Sequence, residues 1–260
     1  MKKSFYLVLA ACCLLVGCIQ SIRLSSERVD SATKIGIVAI AEDKFILKHV
    51  GTTVFADSIK EFESPWQFNG DIKNAIRSEL SNSPYTIIDT AYDVQDLQKK
   101  AHSKTYVLTM TYPTNDLQPI REDLKKIARD SGVDTLIVVT SHFEDDYIER
   151  TDQKLKGCGI YNRSFLGYER TYLHCVNMMS IIDGKTGELL ALRPMGFYNK
   201  IENTFWKTDI SLLSEEERAF IERTVRERMR DAAKSSLSRI GLIACLKDDY
   251  YCAQPVSEQR

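Results

Sequence analysis

The stretch "GVDTLIVVTSHF", Gly132 to Phe143, decides the fold. From Leu136 to Val139 every residue is apolar and three of the four are β-branched, so this run has no polar face to offer to water. A strand hidden on both faces belongs in the middle of a sheet covered by helices, whereas a strand of a one-sided sheet would alternate. The residues ahead of it agree. Leu117 to Ser131 has a helical pattern, and Gly132 stands where a left-handed residue commonly closes a helix.

The same logic extends in both directions. "KIGIVAI", Lys34 to Ile40, is a second run suited to burial on both faces, and "FILKHVGTTVF", Phe45 to Phe55, holds two β-prone runs broken near Gly51, a hairpin or bulged strand. Phe68, Ile72, Ala75, Ile76 and Leu80 share one helical face before "SNSP" and the strand "YTIID"; Asp93 to Ala101 reads as a further helix. Beyond the central strand, an irregular segment holding Cys158 leads to "TYLHCVNMMSIID", Thr171 to Asp183. The turn "DGKTGE" then returns the chain through "LLALRPMGFY" as an antiparallel hairpin. Ser214 and Glu217 have capping-box spacing at the head of a helix running to Ile240, with Ile221, Val225, Met229, Ala232 and Leu237 as its inner stripe. No repeat, low-complexity block or Pro/Gly-rich linker divides the chain. The expectation is one α/β (α+β) domain over 34–242, a mixed β-sheet packed by helices in two or three layers and ending in a long C-terminal helix.

The order of "KIGIVAI", helix, strand, "GVDTLIVV" and "IIDGKTGELLA" resembles the α/β domain shared by the curli-secretion lipoprotein, the lipoproteins that activate penicillin-binding proteins, and the amino-terminal domain of the Tol translocation protein. The resemblance covers roughly Lys34 to Leu242 through short motifs, and it implies the fold more than the role. The segment from Cys158 to Cys175 and the cysteine-bearing tail over 243–260 have no counterpart in that pattern.

The amino terminus supplies an address. Lys2 and Lys3 precede Phe5 to Val16, twelve residues without a charge, which is the pattern of a secretory signal over 1–17 and is too short to span a bilayer as a helix. Leu15-Val16-Gly17-Cys18 resembles the lipobox of bacterial lipoproteins. That resemblance implies cleavage before Cys18, lipidation of Cys18 with diacylglycerol and an acyl chain such as palmitate, and anchorage in a lipid bilayer, since two or three chains hold where one is marginal. Ile19 stands where an aspartate would signal inner-membrane retention, so the resemblance favours the outer membrane, on its periplasmic face. Residues 18–33, polar and rich in serine, read as a lipidated tether.

Removing 1–17 removes two lysines and no acid and leaves 33 basic against 36 acidic residues. A mildly acidic chain of interspersed charge has no electrostatic footprint for nucleic acid. Of seven cysteines, Cys12 and Cys13 leave with the signal and Cys18 is taken by lipid; Cys158, Cys175, Cys245 and Cys252 remain. In an oxidising compartment four cysteines suggest two disulfides, with Cys158 to Cys175 and Cys245 to Cys252 favoured because each is local.

Tests for chemistry are mostly negative. "GKT" at Gly184 lacks a phosphate-loop glycine five positions earlier, where Met179 stands, and Ser141 beside His142 is no nucleophile elbow. His49, His102, His142 and His174 show no metal-ligand spacing, and nothing calls for a cofactor. The densest acid–base group is His142 with Glu144, Asp145 and Asp146 at the end of the central strand, where α/β sheets commonly place ligands. Aromatic material concentrates in three segments expected to be loops: "SPWQF" (64–68), "GIYNRSFLGYERTY" (159–172) and "NTFWK" (203–207). In the second, Tyr161, Arg163, Phe165, Tyr168, Arg170 and Tyr172 are the residue types of interface anchors and mark a candidate partner-binding surface. The leading expectation is a non-enzymatic binding or assembly component of the cell envelope that engages an envelope protein or a second copy of itself. The alternatives are an envelope hydrolase working at His142 to Asp146 and an oligomeric secretion pore whose membrane hairpins would come from Phe45–Phe55 or from 171–197.

Overall fold

The fold was obtained as a computed structural model, which describes residues 24–41, 43–102 and 117–245. In chain order the elements are α1 (Ser26–Ser31), β1 (Lys34–Ile40), β2 (Lys44–Val50), β3 (Ser58–Glu63), α2 (Phe68–Leu80), β4 (Thr86–Ile88) and α3 (Val94–His102). They continue with α4 (Arg121–Ser131), β5 (Thr135–Ser141), β6 (Phe143–Asp145), β7 (Lys154–Phe165), β8 (Tyr168–Asp183), β9 (Leu189–Ile201) and α5 (Glu215–Ile240). The fold is mixed α/β, with a long C-terminal helix, as the sequence predicts.

The strands join in the order β3-β2-β7-β8-β5-β1-β4, with β9 beside β8 and β6 beside β7. The pairing registers show that this sheet forks. β9 pairs with β8 from Thr171 to Ile182, while β7 pairs with β8 from Tyr168 to Val176 and β5 with Asn177 to Asp183. A strand has two edges, and β9 overlaps both other runs, so β7 and β5 share the second edge one after the other. β8 and β9 are therefore a trunk from which two limbs diverge near Val176 and Asn177. The amide of His142 donates to the Val176 carbonyl at 3.2 Å, at the crotch of the fork.

On the β5 limb the central strands are buried on both faces, as their composition requires. Ile35, Ile37, Ala39, Ile137 and Val139 belong to the core under α2 and α5, while Val38, Ile40, Leu136 and Val138 pack with Leu124, Ile127 and Ala128 of α4 and Leu97 of α3. The result is three layers. Each fully buried Ile, Leu or Val contributes about 1.5–3 kcal/mol relative to exposure, which sets the register of these strands against any one-residue slip. Ser214 and Glu217 form the expected capping box on α5, and Ile221, Val225, Met229, Ala232 and Leu237 are buried. Gly132 closes α4 at φ 66°, in the left-handed conformation its position calls for.

Three local expectations are corrected. The segment around Cys158 is not irregular: it is β7, hidden from pattern reading because it is buried on both faces over much of its length and carries Gly157, Gly159 and Cys158, which are weak strand signals. It turns into β8 through Leu166 (φ 47°) and Gly167 (φ 85°), a two-residue hairpin loop with both central residues left-handed. The β2 hairpin does not return by Phe55 but through β3, because Val54–Ala56 forms a short 3-10 turn first. The second part of the expected tether is folded: Leu24 is buried, its amide donates to the Ile240 carbonyl, and Arg28 pairs with Asp183 at 3.0 Å. Cys158 and Cys175 face each other across β7 and β8 and are disulfide-bonded, within the core under α2 and α5. Cys245 is also disulfide-bonded. Cys252, its expected partner, lies outside the described residues, as does Cys18.

Candidate functional site

The two hairpin ends at one pole of the sheet are laced together. The Leu166 amide donates to Thr52 Oγ1 at 3.2 Å, and the Arg163 guanidinium donates to the carbonyls of Val50 (3.1 Å) and Gly51. The same guanidinium sits 5.1 Å over the Phe165 ring. On this joint tip Val54 is 77% exposed, Phe55 96%, Leu166 71% and Tyr168 75%, with Phe165 at 46%. Single exposed apolar residues need no explanation, but five on adjoining turns make a patch. Leu166 adds a second point. A leucine at positive φ is strained, and Asn or Gly would serve the turn better, so neither backbone nor core accounts for leucine here. Strain held at an exposed position is a pointer to function.

Below the tip, β7 and β8 carry the rings that sequence reading grouped with it. Tyr161 is fully buried and Tyr172 nearly so, stacked at 6.3 Å between centroids. Both rings are held inside the fold. Tyr161 donates to Asp146 at 2.6 Å, and Tyr172 donates to Glu149 at 2.7 Å; Arg170, half exposed, pairs with the same Glu149 at 3.1 Å. Burial, reinforced by the Glu149 carboxylate, pushes the Tyr172 phenol up to about 12. Of the six candidate contact residues, Phe165, Tyr168 and the outer part of Arg170 are therefore presented to solvent, Arg163 braces the tip, and Tyr161 and Tyr172 belong to the core. Val54, Phe55 and Leu166 were missed. The readable signal was a bulky residue ahead of glycine in "FLG" and the unalternated "TVF" after Gly51.

Within the acidic group at the end of β5, Asp146 is a fastening. Asp146 is buried and accepts from Tyr161, from Thr151 Oγ1 at 2.6 Å, and from the amides of Ile148 (3.1 Å) and Glu149 (3.0 Å). Burial alone would raise its carboxyl, but those bonds outweigh it and hold the group below the ordinary carboxylate range. Four donors use the lone pairs that a general base would need. Glu144 is different: burial raises its carboxyl, although Tyr198 donates to it at 2.9 Å. His142 is pushed down by burial and then by Lys154, and its Nδ1 has no hydrogen-bond partner among the described residues. His174, fully buried and stacked on Tyr198 at 6.3 Å, is pushed down by burial to about 4. Among the described residues no group of three or more His, Cys, Asp or Glu is placed to hold a metal ion. The arrangement ties the turn over 146–153 onto the β7–β8 hairpin and so supports the tip from beneath.

The other aromatic segments cap the core. Trp66 packs edge-on to Phe45 at 4.9 Å, and Trp206 stacks on His49 at 5.5 Å. No described helix is long and apolar enough to cross a membrane. In the two segments that could have supplied pore hairpins, every residue from Thr171 to Ile182 is buried and β2 is buried apart from its first residue and His49, whereas 52–55 is exposed and β9 alternates between buried, half-buried and exposed residues.

No protein-family model and no curated protein matches this sequence. Among solved structures, a Xanthomonas campestris protein of family DUF330 aligns at 7% identity over 78% of this chain and 80% of its own, with a TM-score of 0.36. Lipoprotein GNA1162 of Neisseria meningitidis aligns at 13% identity over 74% and 97%, TM-score 0.31. The LpoB C-terminal domain of Salmonella enterica aligns at 14% identity over 66% and 90%, TM-score 0.23. These partial superpositions carry no argument about what this chain does.

Proposed function

We propose that this chain is a lipid-anchored protein of the bacterial cell envelope that docks another envelope protein through the joint tip of its β2–β3 and β7–β8 hairpins. The observation that carries the docking role is the exposed apolar tip, with a leucine, Leu166, held there in a strained left-handed turn. The address rests on the lipobox-like Leu15 to Cys18 and the charged and apolar run before it. The two fit together geometrically. β8 runs from Tyr168 at the tip to Asp183 beside α1, and its 16 residues cover about 50 Å. Only five residues separate Cys18 from Leu24, a reach of at most about 22 Å. A domain held at Cys18 thus carries its tip away from the anchoring bilayer, toward a protein rather than toward lipid. Ile19 after the cysteine, where an aspartate would signal inner-membrane retention, supports anchorage in the outer membrane, and we place the domain on its periplasmic face.

Photocrosslinking in intact cells tests the docking role. A crosslinker at Leu166 or Phe55 should trap a discrete protein adduct, and one at Arg228, exposed on α5, should not. Equal adducts at all three positions, or none at the tip, would refute it. For the anchor, Cys18→Ser should abolish lipid labelling and release the protein from membranes.

A further inference from the structure

A cavity of about 520 Å³ opens at the pole opposite the tip, between α1, α4 and the turn after β8. Lys125 and Arg129 of α4 line it one helical turn apart, and Lys185 reaches it from the facing turn. Val133 and Leu190 contribute an apolar floor. Two acids also line it, but both are occupied. Asp134 accepts from the Thr33 hydroxyl (2.6 Å) and from the amides of Thr33 (3.1 Å) and Lys34 (3.0 Å). Asp183 accepts from the amides of Lys185 (2.9 Å) and Thr186 (2.8 Å) and pairs with Arg28. The cations are held far more loosely. Among the described residues Lys125 has an ion pair only with the exposed Glu122 at 3.0 Å, Arg129 only with its neighbour Asp130 at 3.6 Å, and Lys185 with none. Like charges four residues apart on a helix repel, and a bound anion removes that cost.

We propose that this cavity binds the phosphate of an anionic phospholipid headgroup in the bilayer that holds the chain. Lys125, Arg129 and Lys185, which line the cavity together, would supply charge-assisted hydrogen bonds to the phosphate oxygens, and Val133 and Leu190 would meet the apolar stem behind it. The choice of a membrane source rests on the reading of Cys18 as the anchor, since α1, which contributes Arg28 to the rim, begins eight residues after it. The phosphate chemistry does not rest on that reading. Bound there, a headgroup would orient the domain on its anchor with the hairpin tip outward.

The test uses the chain from position 18 onward carrying Cys18→Ser, because every described contact of the fold begins at Leu24. Co-sedimentation is measured with phosphatidylcholine vesicles and with equal mixtures of phosphatidylcholine and phosphatidylglycerol, and inorganic phosphate is titrated by amide chemical shifts. Binding should need phosphatidylglycerol and weaken with salt. Lys125→Glu combined with Lys185→Glu should weaken it by about thirtyfold or more at an unchanged thermal midpoint. Arg228→Glu combined with Lys234→Glu, which changes the net charge equally on the outer face of α5, should leave it intact. An equal loss in both pairs would mean general charge attraction and overturn the site. Shifts at Gly184 and Gly132 with inorganic phosphate but no vesicle binding would overturn the lipid source while retaining a phosphate site; no response to either probe overturns the proposal whole. Lipid labelling of the unaltered chain reads the anchor independently.

Discussion

Replacing Leu166 by asparagine should remove an exposed contact without weakening the fold. The left-handed backbone costs a side-chain-bearing residue about 1–2 kcal/mol, and asparagine, which bonds its own backbone there, recovers roughly 1 kcal/mol of it. Leu166 is 71% exposed, so at about 1.5–3 kcal/mol for complete burial its remaining packing is worth only about 0.5–1 kcal/mol. Leu166→Asn should therefore match or exceed the parent, by up to about 0.5 kcal/mol. Leu166→Ala keeps the backbone cost and loses the contact, so it should fall below the parent by about 0.5–1 kcal/mol. The two variants differ by roughly 1 kcal/mol, or about 2–4 °C in midpoint for a domain of this size. Urea unfolding, with the denaturant slope checked for constancy, reads this difference directly. Both variants should lose the crosslinked adduct. An asparagine variant less stable than the alanine variant, or one that keeps the adduct, would refute the reasoning.

Three further outcomes are expected. Cys158→Ala combined with Cys175→Ala opens a bridge of separation 17 within the core, and should cost about 3 kcal/mol; an unchanged midpoint would show that the hairpin needs no bridge. Native His174 protonates near 4 rather than the ordinary 6.5 because it is buried. Between those values the unfolded chain binds a proton the native one refuses, so stability falls as pH drops through that window, by up to about 3 kcal/mol; His174→Gln should flatten the fall, and identical slopes would sink the assignment. Asp146→Asn presents a donor to the donors gathered around it and should cost about 1–3 kcal/mol, with faster amide exchange confined to 146–153 and β7; uniform exchange across the domain would contradict a local fastening.

The β5 limb was legible because its physics is one-dimensional. In "KIGIVAI" and "TLIVV" burial on both faces leaves an uninterrupted apolar run, and Ser214, Glu217 and Gly132 mark helix ends through bonds to near neighbours. The β7 limb was not, since Gly159 and Cys158 carry little strand preference and their places are fixed by β2 and β8, far away in sequence. The tip suffered most. Tyr161 and Tyr172 have the composition of an interface, yet carboxylates from the 146–149 turn claim their hydroxyls. Leu166 and Phe55 became visible as a patch only when two hairpins distant in the chain were seen to end side by side.

The forked sheet has a mechanical consequence. A pull between the tip and the pole near α1 travels along β8, whose ladders to β9, β7 and β5 lie parallel to the load. The hydrogen bonds then resist together in shear rather than parting one by one, as they would if a strand were peeled from its end. Strain entering at the tip reaches the β5 limb through β8 itself, so the trunk strand is a tension member joining the hairpin tip to the pole beside α1.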